Sequence, residues 1–402
     1  MFDKILNRFL KYISFDTQSD DSTNTHPSTE KQKDLGLYLV NELKSLGIDN
    51  AYMDEYGYVY AKIKGTKDTK TTVGLIAHMD TALEFPGQVL NPNIINNYQG
   101  EDIVLKNGVN LNTKDFPQLK NCINHTLVTT DGTTLLGADD KAGIAIIIST
   151  LDELLNGNYS YPDLYIAFTP DEEIGEGTEK FNYDYFKADF AYTLDGGPIS
   201  VINYENFNAA SANITFTGKS IHPGSAYGKM VNSQLLAMEF QSMLPNIRPE
   251  NTDNYDGFNH LSSIEGSVSE TKSSYIIRNH DKTLFENQIK EFIEITNALN
   301  EKYGYNAVET KITYSYQNMK EKVNEKPYVL EYPVEALKSL GYTPTFIPIR
   351  GGTDGARLSF NGIVCPNLGT GGDSCHGPYE YVSVNDMVNM VKIVIKMLDI
   401  IK

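Results

Sequence analysis

The chain has 402 residues, 40% hydrophobic and 11% aromatic, which gives ample material for packed interiors and is too long for one ordinary core. A formal charge of −18 excludes nucleic acid and anionic membrane as natural partners. Its three cysteines, Cys122, Cys365 and Cys375, have no paired spacing, which excludes a disulfide scaffold and predicts a reducing, cytoplasmic setting.

Leu6, Phe9, Leu10 and Ile13 recur at helical spacing, so the N-terminus reads as an amphipathic helix broken by charge, not as a signal peptide. No apolar run approaches the ~20 residues of a membrane span. A second helix is predicted over about 29–46, with Leu35, Leu39, Leu43 and Leu46 on its apolar face and Gly47 at its end. Residues 58–63 and 73–77 predict two strands, the second running straight into His78-Met79-Asp80. The stretch 84–126 turns to Asn, Gln, Gly and Pro and predicts a long surface excursion with little core. Regularity returns at Leu127, and Gly137-Ala138-Asp139-Asp140-Lys141 leads into a helix over about 142–155. Residues 164–168 are an apolar run expected to form a buried central strand. Pro170 ends it, and Gly175 and Gly177 free the backbone to turn. Glu172 and Glu173 therefore emerge at the C-terminal end of a strand, where open α/β sheets place their ligands. A further strand, 190–194, ends in Asp195-Gly196-Gly197.

Between 207 and 317 the pattern changes. Strand, helix, two strands, helix and strand follow one another, the order of a ferredoxin-like module. The predicted fold class is α/β, a catalytic domain with a central mixed sheet flanked by helices (1–207 and 318–402) plus an inserted ferredoxin-like α+β lid or dimerisation domain (208–317). Arg350-Gly351-Gly352-Thr353-Asp354-Gly355 and the Gly-rich 369–372 read as loops of the first domain, and 382–402 as a final helix.

Strand ends and one late loop deliver His78, Asp139/Asp140, Glu172/Glu173, Asp195 and His376. Imidazoles with carboxylates suit a pair of divalent cations, most naturally zinc. Carboxylates converging in one cleft repel and raise each other's pKa, and two dications would reverse that sign. Adjacent acids cannot both point at one ion, so one of Glu172 and Glu173 is expected to bind a cation and the other to handle a proton. Asp80 shares a strand face with His78 and suits the acceptor that orients a ligand histidine. Cys375, beside His376, is a softer donor.

The series His78-x-Asp80-Thr81, Gly137-Ala138-Asp139-Asp140-Lys141-Ala142-Gly143, Thr169-Pro170-Asp171-Glu172-Glu173-Ile174-Gly175 and Thr193-Leu194-Asp195-Gly196-Gly197 resembles the tripeptide aminopeptidases of the dinuclear-zinc peptidase/aminoacylase superfamily. Ser220-Ile221-His222-Pro223-Gly224, Tyr275-Ile276-Ile277-Arg278, the loop at Arg350 and His376-Gly377 extend the likeness over nearly the whole chain. The resemblance implies a zinc-peptidase fold and two zinc ions per subunit. Asp139 would bridge them, with His78 and Asp195 on one and Glu173 and His376 on the other. It implies Glu172 as general base, Asp80 as support for His78, and a cis bond between Asp139 and Asp140. His222 would face the developing oxyanion, and Arg278 or Arg350 the C-terminal carboxylate of a short peptide. A homodimer is also compatible with it. Asp373-Ser374-Cys375 departs from the pattern, since relatives place an aromatic residue and an asparagine before the last histidine. The expected reaction is removal of the N-terminal residue from short peptides, preferentially tripeptides. A dipeptidase, an N-acyl-amino-acid amidohydrolase and a non-catalytic binding protein are the alternatives on the same scaffold.

Overall fold

A computed structural model describes residues 1–402. The chain divides into two compact units, Met1–Tyr204 with Glu321–Ile347 and Thr353–Lys402, and Glu205–Lys320 with Pro348–Gly352.

The first unit is built on a mixed eight-stranded sheet. Its strands are β1 (Tyr52–Met53), β2 (Val59–Ile63), β3 (Thr72–His78), β4 (Asp163–Thr169), β5 (Phe190–Leu194), β6 (Val201–Asn203), β7 (Thr345–Phe346) and β8 (Asn367–Leu368), in the order β1-β2-β4-β3-β5-β8-β6-β7. The centre is parallel, β4 beside β3 beside β5, and His78 pairs in register with Thr169. Parallel strands buried on both faces require continuous apolar runs. Val73, Leu75, Ile76, Leu164, Ile166, Ala167 and Phe168 supply them.

Helices α1 (Phe2–Ile13), α2 (Gln32–Ser45), α3 (Ala138–Asn156), α4 (Tyr328–Ser339), α5 (Asp354–Phe360) and α6 (Val384–Ile400) flank this sheet. In α3, Ile144, Ile146, Ile147 and Ile148 are all fully buried, so the helix is apolar nearly all round. It lies so close to the end of β5 that a Cβ on Gly143 would stand 2.0 Å from the Leu194 carbonyl oxygen. On the tyrosine-rich side of the sheet, Tyr58 and Tyr60 pack with Phe181 and Phe186. No helix is long and apolar enough to cross a membrane.

Three sequence expectations need correction. The excursion 84–126 has a core of its own, in which Tyr98, Ile103, Leu105, Leu111, Leu119 and Cys122 pack with Leu127 and Tyr381. Its apolar residues are spaced too irregularly to reveal this by period. The segment after Thr353 forms helix α5, capped by the Thr353 side chain, and is not a loop. Pro348–Gly352 belongs to the second unit, because Ile349 pairs with the Glu205 carbonyl at 2.8 Å and with His280 at 3.1 Å.

The second unit runs strand, helix, two strands, helix, strand. Its antiparallel sheet orders Phe258–Gly266, Glu270–Asn279, Asn208–Thr217 and Val308–Tyr316. Helices Ser233–Met243 and Lys282–Tyr303 pack on this sheet through Phe216, Leu236, Phe240, Tyr275, Phe292 and Leu299. Asp281 caps the long helix through the Leu284 N–H, and Gly304 ends it at a left-handed φ of 73°.

Gly143→Ala would drive a methyl group into the Leu194 backbone, which cannot yield as a side chain would. Overpacking of this kind costs about 1–3 kcal/mol, so the urea midpoint of unfolding is expected to fall with an unchanged slope; an unaltered midpoint would contradict the packing.

Candidate metal centre and active site

The parallel register of β4, β3 and β5 sets three strand ends side by side. His78 ends β3, the Glu172-Glu173 turn follows β4, and Asp195 follows β5. Asp139 enters from the start of α3, where Gly137 turns the chain at a left-handed φ of 73° and the Asp139–Asp140 peptide is cis. His376 comes from the late loop, in which Ser374 and His376 both take left-handed φ values, 59° and 65°.

Each imidazole turns its Nε2 toward two carboxylates. His78 Nε2 lies 2.8 Å from Asp139 Oδ1 and 3.9 Å from Asp195 Oδ1. His376 Nε2 lies 2.9 Å from Glu173 Oε2 and 3.5 Å from Asp139 Oδ2. Asp139 thus presents one oxygen to each histidine, and two donor sets share it. Burial, then the charge of Asp139, pushes the Cys375 thiol well up.

Asp80 organises the other side. Fully buried, its two oxygens accept the Glu172 and Glu173 backbone N–H groups at 3.0 and 3.1 Å, and Oδ1 lies 3.3 Å from His78 Nδ1. His78 Nδ1 also lies 3.2 Å from the Asp80 backbone carbonyl, so Asp80 holds both the histidine ring and the acidic turn. Asp140 stays within 4.8 Å of the His78 ring and Asp195, but its oxygens are used on backbone. It accepts the His78 N–H at 3.2 Å and the Gly143 N–H at 3.1 Å, tying the start of α3 to the end of β3.

Three further residues were not singled out from sequence. Asp171 accepts from the Ser28 N–H and hydroxyl and from Gln32 Nε2, at 2.8, 2.5 and 2.7 Å, and so anchors the turn carrying Glu172 and Glu173. Asp354, at the start of α5, accepts the Thr169 hydroxyl at 2.8 Å. Glu380 is fully buried and accepts three N–H groups, from Leu136 at 2.6 Å, Gly137 at 2.9 Å and Asp139 at 3.0 Å. It fixes the turn that delivers Asp139. The only sequence signal was its place four residues after His376, which carries no period or pattern.

Burial and mutual repulsion dominate the electrostatics. Burial first, then neighbouring charges, pushes Glu172, Asp195 and Asp140 well up, Glu173 to about 7 and Asp354 to about 6. Burial lifts Glu380 to about 7. His376 rises to about 11 through its bonds to Asp139 and Glu173. His78 also rises well above its ordinary value, because Asp139 and Asp80 outweigh its burial. Burial would raise Asp139 too, but the two histidines hold it far down. Glu173 Oε1 is buried with no hydrogen-bond partner. An orphaned carboxylate oxygen among acids and imidazoles of opposed protonation is the environment a divalent cation resolves. The donor set fits two such ions.

Predicted substrate residues of the second unit have local partners. His222 Nδ1 accepts the Gly224 N–H at 3.2 Å, which leaves the proton on Nε2. Arg278 Nη1 bonds the Ala210 and Ile277 carbonyls at 3.2 and 3.0 Å, beneath the Tyr316 ring. Arg350, expected in the first domain, bonds the Asn254 and Asp256 carbonyls at 2.9 and 3.0 Å and lies over Phe207.

An α/β sheet whose parallel strand ends converge on a shared carboxylate between two histidines defines a hydrolase of the metal-dependent class. Residues 124–399 match the model of Peptidase family M20/M25/M40, and the chain belongs to that family and is a peptidase. It is 50% identical over 403 residues to peptidase T from Caldanaerobacter subterraneus subsp. tengcongensis, covering 99% of this chain and 98% of the relative. Among solved structures, aminopeptidase PepT from Bacillus cereus superposes with a TM-score of 0.79 at 21% identity, covering 99% of this chain and 98% of that one. A tripeptidase from Staphylococcus aureus gives 0.78 at 21% identity, covering 100% and 98%. These two superpositions establish the common fold.

Two outcomes are expected. In the metal-free protein, Glu173 and Glu380 keep protons from their ordinary 4.5 up to about 7, and His376 from 6.5 up to about 11. The folded state then holds more protons than the unfolded one, so stability is present at low pH and lost as pH rises. The Tm of chelator-treated protein should therefore fall between about pH 5 and 8, and saturating zinc should remove or reverse the trend, since metal binding displaces those protons; a rise without metal would contradict the electrostatics. Glu380→Gln removes an acceptor from the Asp139 turn. Supporting shells of this kind are worth about 10–100-fold, so metal affinity measured by competitive chelation should weaken by that factor.

Proposed function

We propose that the protein is a zinc-dependent aminopeptidase that removes the N-terminal residue from short peptides, preferentially tripeptides. The observation that carries this reading is the division of Asp139 between two histidines, Oδ1 to His78 and Oδ2 to His376. Asp139, His78 and Asp195 would hold one ion, and Asp139, Glu173 and His376 the other. Similarity over the full chain to peptidase T supports the substrate class. When bound, the ions supply Lewis acidity toward a peptide carbonyl and lower the pKa of water at the site.

The chain's own residues do the rest. Glu172, with His78, Asp195, Asp354 and Glu173 as charged neighbours, has no hydrogen-bonded partner fixed to its carboxylate, and two dications would hold it ionised. A Glu172 oxygen takes one proton from water as the water oxygen bonds to the scissile carbon. It returns that proton to the leaving nitrogen as the C–N bond breaks, base first and acid second. Asp80 holds the His78 Nδ1–H, so Nε2 keeps its lone pair toward the cation. His222 offers its Nε2–H to the developing oxyanion. Arg278 pairs the substrate's terminal carboxylate, since only Nη1 of its guanidinium is committed to carbonyls. Both terminal nitrogens of Arg350 are spent on the segment 252–256, so it supports that unit instead.

The test is hydrolysis of an unblocked tripeptide with products identified by mass. Release of the N-terminal residue should be lost on chelation and restored by zinc, while the N-acetylated tripeptide stays intact. Glu172→Gln should lower kcat by about 10²–10⁴-fold with both metals retained. Turnover of the acetylated substrate would move the reading to an amidohydrolase, and full activity of the variant would remove Glu172 from the mechanism.

A further inference from the structure

Away from the active site, the excursion 84–126 closes on the start of α6 through a second group of metal-type donors. Cys122 ends the short helix Pro117–Cys122, and Asn124 turns the chain back at a left-handed φ of 68°. The His125 N–H then bonds the Cys122 carbonyl at 2.9 Å, so a Cys-x-x-His pair shares one tight turn. Asp386 comes from the first turn of α6, where the Ser383 hydroxyl accepts its N–H at 3.1 Å. The two segments are locked together by backbone. Val384 N–H bonds the Thr126 carbonyl at 2.9 Å, and the Asn385 side chain accepts the Thr126 N–H at 2.9 Å.

One thiol sulfur, one imidazole nitrogen and one carboxylate oxygen, from Cys122, His125 and Asp386, all lie within 4.8 Å of one another. His125 Nδ1 stands 3.7 Å from Asp386 Oδ2 and 2.9 Å from the Ser383 hydroxyl. Cys122 is buried, and His125 and Asp386 are about a fifth exposed, which leaves room for a water ligand. A second observation points to a ligand in the same cluster. The Tyr98 hydroxyl, on a ring that packs in the same core cluster as Cys122, is buried with no hydrogen-bond partner. A buried phenol left unpaired is rare, and water on a bound ion would satisfy it.

We propose that Cys122, His125 and Asp386 form an accessory site for a single borderline-soft dication such as zinc, completed by water beside Tyr98. Mixed sulfur, nitrogen and oxygen donors in a tetrahedral set select zinc over magnesium or calcium. Binding an ion would bring these donors from 4.8 Å or less to ordinary tetrahedral separations. Burial and the carboxylates of Asp386 and Asp373 now push the Cys122 thiol up to about 12, and binding would release its proton. The ion would pin the excursion to the segment that follows the His376 loop, so its effect is on stability and on the order of that loop.

The experiment is a cobalt titration of the chelator-treated full chain carrying Cys375→Ser, which removes the thiol beside the active site. The expected result is a third equivalent of cobalt accompanied by a near-ultraviolet thiolate-to-cobalt charge-transfer band. The added change Cys122→Ser should abolish both, while the first two equivalents bind as before. His125→Gln provides a second variant. Loss of a supporting residue alone weakens metal binding by about 10–100-fold, so loss of a ligand should weaken the third equivalent by at least that much. Two equivalents with no band, or a band that survives Cys122→Ser, would overturn the site.

Discussion

Carboxylates and imidazoles held out of water at the carboxyl edge of three parallel strands are the constraint around which the first unit is arranged. Asp140, Glu172, Glu173 and Asp195 would not stay ionised together in such a place, and burial is the first cause of the upward shift at each. The structure answers with geometry. Asp80 gives its oxygens to the backbone N–H groups of the acidic turn, and Asp140 gives its oxygens to the ends of β3 and α3. Two acids are thereby spent on holding the frame. Asp139, Glu173 and Asp195 are left facing the histidines, and cations would offset their repulsion.

The frame depends on features some distance from the chemistry. Gly143 lets α3 approach the end of β5 closely enough for Asp139 and Asp195 to meet the same histidine. Glu380 gathers the backbone just ahead of Asp139, and Asp171 ties the start of the Glu172 turn to Ser28 and Gln32. Each is a buried carboxylate used as a multiple acceptor, which is stronger and more directional than a neutral group in the same position. Removing one leaves its N–H partners buried and unpaired, so the penalty falls on the position of a neighbouring residue.

The second unit solves a different problem. Its antiparallel sheet covers one face with two helices, and its long helix is capped at both ends. The segment Pro348–Gly352 returns to it from the other unit's sequence, drawn by the pairing of Ile349 with Glu205 and by the carbonyls that satisfy Arg350. A guanidinium with its fork filled by backbone carbonyls over an aromatic ring is well placed to hold a loop, which assigns Arg350 a role in that unit's shape.

Most of the architecture was legible in the sequence, because apolar period and glycine punctuation report local structure directly. The helix at 282–303, the strand pairs around His78 and Glu172, and the β-α-β-β-α-β order of the second unit all follow from spacing. The candidate residues His78, Asp139, Glu172, Glu173, Asp195 and His376 could be named from strand ends and motifs, and the structure brings them to one edge of the sheet. The tertiary structure alone showed what Asp140 does beside Asp139, since its partners are the backbone N–H groups of His78 and Gly143. It alone revealed the core of the excursion 84–126, the placement of Arg350, and the supporting acids Asp171 and Glu380. Those residues act through hydrogen bonds to backbone far away in the chain, and a contact between distant segments leaves no period in the sequence to read.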